Sequence, residues 1–303
     1  MSRIYDALRK AEEEKQSQGV AVPETTNGFH HSAAEPAAEV ETRAVAPAAP
    51  SRSHLATRMA KWSPEMNKLP SLSRVEAGAD EFRRVRSRLY QLRDTLPLRS
   101  LLIASGLPGE GKSFVAANLA ICLAQQECPV LLIDGDLRKP SLHSMLGSPS
   151  APGLTDYLAG NATISQVIQV GNVPNLSFIS GGSSTANAAE LAGNRYMEQL
   201  IAQVSGDYEW IIVDSAPVVA VPDAVALARA CDGVLIVACS ANTPFDIAQR
   251  TVKEFSGSRV IGFLLNAVSS SKEPKRYAGY YYGYGPKPVE DAAANKVKAA
   301  SAE

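Results

Sequence analysis

Gly106-Leu-Pro-Gly-Glu-Gly111-Lys112-Ser113 sets glycines, a lysine and a serine at the spacing G-x-x-x-x-G-K-[ST]. That spacing suits a polyphosphate. Glycines let successive backbone N–H groups turn inward on anionic oxygens. A helix starting just after them adds partial positive charge. Lys112 can reach β- and γ-phosphates, and the Ser113 hydroxyl can ligate Mg²⁺. The run therefore predicts ATP with Mg²⁺, held among Gly106, Pro108, Gly109, Glu110, Gly111, Lys112, Ser113 and Phe114.

Two further runs end in acids. Val130-Leu-Leu-Ile-Asp134-Gly-Asp136-Leu-Arg138 reads as a strand finishing near Asp134, so both carboxylates fall at its carboxyl end. Ligands of open parallel sheets bind at that edge. Acids there can hold Mg²⁺ or accept a proton, although acids also end strands simply as turn formers. Ile211-Ile-Val-Asp214-Ser215-Ala216-Pro217 has the form of a Walker B strand, whose acid serves the metal or its water. Asp223 follows in Val221-Pro-Asp-Ala, either with a role at this site or as a helix-dipole acid.

These residues need a sheet to gather them. Apolar β-rich runs appear at 100–104, 130–133, 176–179, 210–213, 233–238 and 260–265. Helical patterns lie at 80–94, 113–125, 187–204, 223–230 and 244–255. Strands alternating with helices predict an α/β fold, a parallel sheet covered by helices on both faces. We expect a short amphipathic helix within 1–18, a flexible linker over 19–70, the P-loop domain over 71–269 and a flexible tail over 270–303. Ala, Pro, Ser, Glu and Thr fill the linker and leave too little apolar surface to offset ordering entropy.

Composition sets limits. A formal net charge of −1 gives no support to a nucleic-acid partner. No apolar run approaches the roughly 18–20 residues of a membrane span, and residues 1–18 hold no signal-peptide core. A cytoplasmic protein without direct membrane insertion is expected. Cys122, Cys128, Cys231 and Cys239 form no close pair of the C-x-x-C kind and read as reduced core thiols.

Together the motifs resemble those of the BY-kinases, the bacterial tyrosine kinases of polysaccharide export. That family pairs a Walker A loop with a D-x-D-x-R motif and a Walker B strand, matched here by Gly106–Ser113, Asp134–Arg138 and Ile211–Asp214. The resemblance implies a P-loop fold shared with septum-positioning and plasmid-partition ATPases. It implies Asp134 as the base, Asp136 and Asp214 around Mg²⁺, and Lys112 on the phosphates. Arg138 joins the nucleotide site by the same carry-over. Asn266 stands where related ATPases read adenine, or is a turn asparagine.

Tyr277, Tyr280, Tyr281, Tyr282 and Tyr284 crowd half of the chain's 10 tyrosines into one short stretch. Its glycines and lack of aliphatic residues argue against a core strand. A clustered tyrosine tail is what BY-kinases autophosphorylate. The last strand of a parallel sheet ends at the P-loop edge, and the chain from Asn266 to Tyr277 spans about 35 Å when extended. Transfer in trans within a homo-oligomer is then within reach. Asp80-Glu-Phe-Arg83-Arg-Val-Arg86 is similar to the family's E-x-x-R-x-x-R oligomerisation motif, with Asp80 in place of Glu. The opening Met1-Ser-Arg-Ile-Tyr-Asp-Ala-Leu-Arg-Lys resembles the soluble, exosortase-associated branch, in which a separate membrane-spanning polysaccharide co-polymerase acts as activator. A tyrosine phosphatase is an expected further partner.

The alternatives are a positioning ATPase switch and a non-catalytic adaptor with a docking tyrosine tail. Positioning ATPases carry an extra lysine five residues before the P-loop lysine. Leu107 occupies that position.

Overall fold

Strands covered on both faces need side chains that are apolar in every direction. β2 (Ser100–Ser105), β3 (Val130–Asp134), β5 (Leu176–Ile179) and β6 (Trp210–Asp214) are apolar at most positions, and every residue in them is buried. They form the centre of a computed structural model that describes residues 57–73 and 78–268. β1 (Arg58–Met59), β4 (Ile168–Val170), β7 (Gly233–Cys239) and β8 (Val260–Asn266) complete the sheet. Its order is β1-β4-β5-β3-β6-β2-β7-β8.

All neighbours run parallel except β4 and β5, which pair antiparallel. The six strands expected from the sequence pair in parallel throughout, and the antiparallel pair comes from β4, which was not expected. Only 5 residues lie between Val170 and Leu176, too few for a crossover, so the chain turns straight back.

α1 (Ala79–Arg93) and α2 (Lys112–Ala124) cover one face. The short α3 (Leu142–Leu146) packs on that same face, and the other face is packed by α4 (Leu154–Leu158), α5 (Ile164–Val167), α6 (Ala188–Ala192), α7 (Tyr196–Val204) and α8 (Asp223–Arg229). α9 (Phe245–Glu254) adds Val252 to that face just before the buried Phe255. The single helix expected over 187–204 is two helices. Gly193 ends the first, and the Asn194 side chain accepts the Tyr196 N–H at 3.0 Å to start the second.

α2 is apolar nearly all round, which suits a helix enclosed on every side. The sheet lies below it, and Phe82 of α1 meets its Phe114 with ring centroids 5.8 Å apart. The remaining cover corrects the expectation of a linker reaching residue 70. Residues 57–73 lie as an ordered strap, with Trp62 and Leu69 buried and two 3₁₀ turns at Met66–Lys68 and Pro70–Leu72. The buried Asn118 of α2 clamps it. Its Oδ1 accepts the Ser71 N–H at 3.0 Å, and its Nδ2 donates to Lys68 O at 3.1 Å. Large apolar side chains in an Ala- and Pro-rich context overrode the composition.

Asn118→Ala leaves the Ser71 N–H and the Lys68 carbonyl unmatched. We expect it to lower stability by roughly 2–4 kcal/mol. The urea midpoint should fall with an unchanged m-value.

The helix expected near the amino terminus, residues 19–56 of the expected linker and the tyrosine cluster lie outside the described residues. No helix among the described residues is long and apolar enough to cross a membrane.

Candidate active site

Parallel strands align their carboxyl ends, and in this register Asp134 of β3 is paired directly with Asp214 of β6. β2 lies on the other side of β6. The P-loop leaves its tip, so the three motif ends converge on one edge. Gly135 permits this convergence. A Cβ there would come within 2.5 Å of the Asp214 carbonyl, while the Gly135 N–H donates to that same oxygen at 3.1 Å. Any larger residue would force the two acidic loops apart.

The P-loop is tied at several points. Gly111 adopts φ +91°, and a Cβ on it would lie 2.1 Å from Asn266 Nδ2. That amide donates to Glu110 O at 3.0 Å, so Asn266 braces the loop from the end of β8. The buried Glu110 carboxylate turns inward. One oxygen accepts the Leu107 N–H at 2.8 Å, and the other accepts the Thr243 hydroxyl. Leu107 and Pro108 sit on the loop's outer arc, and Gly109 has open space around it at φ +81°.

Lys112 opens α2 and its ammonium lies 3.4 Å from Asp136 Oδ2. Asp136 Oδ1 accepts the Lys139 N–H at 3.0 Å. Asp134 is fully buried. Its Oδ2 accepts the Ser141 and Leu142 N–H groups at 2.9 and 3.0 Å, holding the start of α3. Burial raises the Asp134 carboxyl to about 8, and Asp214 pushes it the same way against those N–H donors.

Asp214 is also fully buried, and neither of its oxygens has a partner at hydrogen-bond geometry. Burial raises its carboxyl to about 6. Lys112 and the Ser113 hydroxyl pull it down without satisfying either oxygen.

Arg138 behaves differently from the expectation of a nucleotide contact. Its guanidinium makes a two-point pair with Asp223, Nε to Oδ2 at 2.6 Å and Nη2 to Oδ1 at 3.2 Å. The pair spans 85 residues of sequence, so no local pattern reveals it. Thr243, the partner of Glu110, also gave no signal in the sequence. Ser215 donates to Ile103 O at 2.9 Å and serves the β2–β6 junction.

The expected oligomerisation residues split up. Asp80 and Arg83 pair within α1. Arg86 turns inward and donates to Cys122 O of α2 at 2.8 Å. A cleft of about 660 Å³ opens at the far, amino-terminal edge of the sheet beside Arg93, Arg99 and Asp232. None of the expected site residues lines it.

A family model described as an AAA domain matches residues 100–250. The chain is 33% identical over 206 residues to the tyrosine-protein kinase YwqD of Bacillus subtilis, covering 68% of this chain and 86% of that one. It is 37% identical over 182 residues to the tyrosine-protein kinase ptk of Acinetobacter johnsonii, covering 59% of this chain but only 24% of the relative. Among solved structures, the kinase domain of the Escherichia coli tyrosine kinase ETK superposes with a TM-score of 0.63 at 26% identity, over 72% of this chain and 91% of that one. With its P-loop nucleotide site and a match that spans most of a tyrosine-protein kinase, the chain belongs to the bacterial tyrosine kinase family.

Proposed function

We propose that this chain transfers the γ-phosphoryl group of ATP to Tyr277, Tyr280, Tyr281, Tyr282 and Tyr284 of a neighbouring copy. The carrying observation is the gathering of Lys112, Asp134, Asp136 and Asp214 at one sheet edge, with β8 ending on the P-loop through Asn266. The tail therefore departs from the site's own edge.

In the transfer, a bond forms between the tyrosine Oη and Pγ as the bond from Pγ to the bridging oxygen breaks, releasing ADP. The phenol, with an ordinary pKa near 10, gives its proton to a carboxylate. Asp134 takes this role in our assignment, on the family resemblance and its place at the end of β3 beside Asp214. Lys112 moves from Asp136 toward the phosphates, and the P-loop N–H groups orient them.

Mg²⁺ fits the residues present. Asp214 offers two buried, unsatisfied oxygens beside the Ser113 hydroxyl, and Asp136 lies next to Lys112. Among the described residues no three His, Cys, Asp or Glu side chains converge into a metal cage. Mg²⁺ asks for less, since it binds through one or two carboxylates and otherwise waters and phosphate oxygens. When bound, it neutralises charge on the β- and γ-phosphates.

On the family resemblance, the activator is a membrane-spanning polysaccharide co-polymerase, a phosphatase reverses the modification, and the process regulated is exopolysaccharide export. Residues Asp80, Arg83 and Arg86 are carried over as the oligomer contact, and recruitment to the membrane goes through the activator.

The test is phosphotyrosine mapping by mass spectrometry after incubation with Mg-ATP. We expect phosphate on the 277–284 peptide, and incorporation reduced at least about tenfold when all five tyrosines become Phe, an intact site having lost its acceptors. Equal incorporation in the Phe variant would remove the tail as the acceptor.

A further inference from the structure

The Arg138–Asp223 pair holds together two loops that carry other residues' chemistry. Arg138 follows Asp136 by two positions in the loop after β3. Asp223 is the first residue of α8, in the segment after β6. Its side chain is 1% exposed against 34% for Arg138, so the acid is the fixed end of the pair.

The segment from Asp214 to Asp223 is pinned at a second place. The Val218 and Val219 N–H groups donate to Ser105 O and Gly106 O at 2.9 and 3.2 Å. It thus bridges the P-loop to the D-x-D-x-R loop. Within the latter loop, the Asp136 carboxylate accepts from Lys139 N–H and faces Lys112. Arg138 lies between Asp136 and Lys139 in the chain. A two-point guanidinium–carboxylate pair fixes orientation as well as distance.

We propose that Asp223 is a positioning residue for phosphoryl transfer: through its two-point hold on Arg138 it sets where Asp136 stands against Lys112. Asp223 touches neither substrate nor metal in this account. Its contribution belongs to the step from nucleotide-bound to transferred phosphate rather than to nucleotide binding. This rests on the kinase reading above for its kinetic consequence, while the positioning itself is a property of the nucleotide-free chain.

The experiment compares Asp223→Asn, Arg138→Lys, Asp223→Ala, Arg138→Ala and the double Ala variant with wild type in the full chain. The first readout is amide hydrogen exchange without nucleotide. Exchange over 136–142 should rise on the order of tenfold in Asp223→Asn, while α2 keeps its protection. The second is steady-state transfer. In Asp223→Asn and Arg138→Lys, kcat should fall on the order of 10–100-fold, with the KM for Mg-ATP within about threefold of wild type. Arg138→Lys keeps the charge but loses the fork, so its failure to restore kcat separates geometry from charge. The double Ala variant should lose no more than either single one, because both remove one shared device.

Unchanged exchange over 136–142 in Asp223→Asn would overturn the proposal. So would exchange that rises equally in α2, or single losses that simply multiply in the double variant. A wild-type chain that transfers no phosphate would instead overturn the kinase reading, with the exchange arm still deciding the positioning.

Discussion

Lys112→Met is expected to lower tyrosine phosphorylation by on the order of 10²–10³-fold or more, the cost of removing one preorganised charge from a transferring group. The side chain is 13% exposed and pairs with Asp136. Methionine keeps most of its length and bulk but not its charge. The substitution should therefore leave the fold of α2 intact while Asp136 and Asp214 lose their nearest cation. The check is labelled-ATP incorporation beside far-UV circular dichroism of the same sample. Incorporation equal to wild type would exclude the P-loop as the phosphate site.

Asp214→Asn should do something less usual: abolish most activity and stabilise the nucleotide-free protein. The carboxylate is fully buried with neither oxygen at full hydrogen-bond geometry, and burial outweighs the pull of Lys112 and Ser113 on its charge, so the amide relieves more than it gives up. Burial raises the carboxyl to about 6 from 3.8. The folded state then holds its proton more tightly than the unfolded chain does. Stability from this group is complete below about pH 4, falls as pH rises toward 6, and stays lost above it.

Asp134, raised to about 8, extends the same fall through neutral pH. Nucleotide-free wild type should accordingly melt at a lower temperature at pH 8 than at pH 6. Asp214→Asn should raise Tm at pH 8 by roughly 5–10 °C. Thermal melts at both pH values, run without nucleotide, decide it. A variant that melts below wild type at pH 8 would show that the acid is satisfied in the folded state. A stabilising substitution at a position proposed to serve the chemistry is the expected mark of a site that trades stability for function.

Much of this was readable in the residues. The central strands were visible because they are buried on both faces and so form unbroken apolar runs ending in Gly106, Asp134 and Asp214. Strand and helix limits moved by a residue or two, as the extension of β3 to Asp134 shows. Short elements were invisible for a physical reason. α3, α4 and α5 hold 5, 5 and 4 residues, too few to display a helical period.

The strap over 57–73 was hidden by its composition. Its order comes from Trp62, Leu69 and the Asn118 clamp, which are tertiary facts. The site showed the same division. That the three motif ends meet at one sheet edge was legible from the sequence. Which side chains are already engaged was not: Arg138 faces Asp223, Arg86 faces Cys122, and Glu110 turns toward Thr243.

The central claim concerns one chain phosphorylating another, and a mixing experiment reads it directly. The Lys112→Met chain serves as acceptor with its tyrosines intact, and the chain with all five tail tyrosines changed to Phe serves as donor. Neither has both parts. Incubated together with Mg-ATP, they should yield phosphotyrosine on residues 277–284 of the Lys112→Met chain, and each alone should yield almost none. No phosphate on that peptide, from a donor shown to bind nucleotide, would contradict the account.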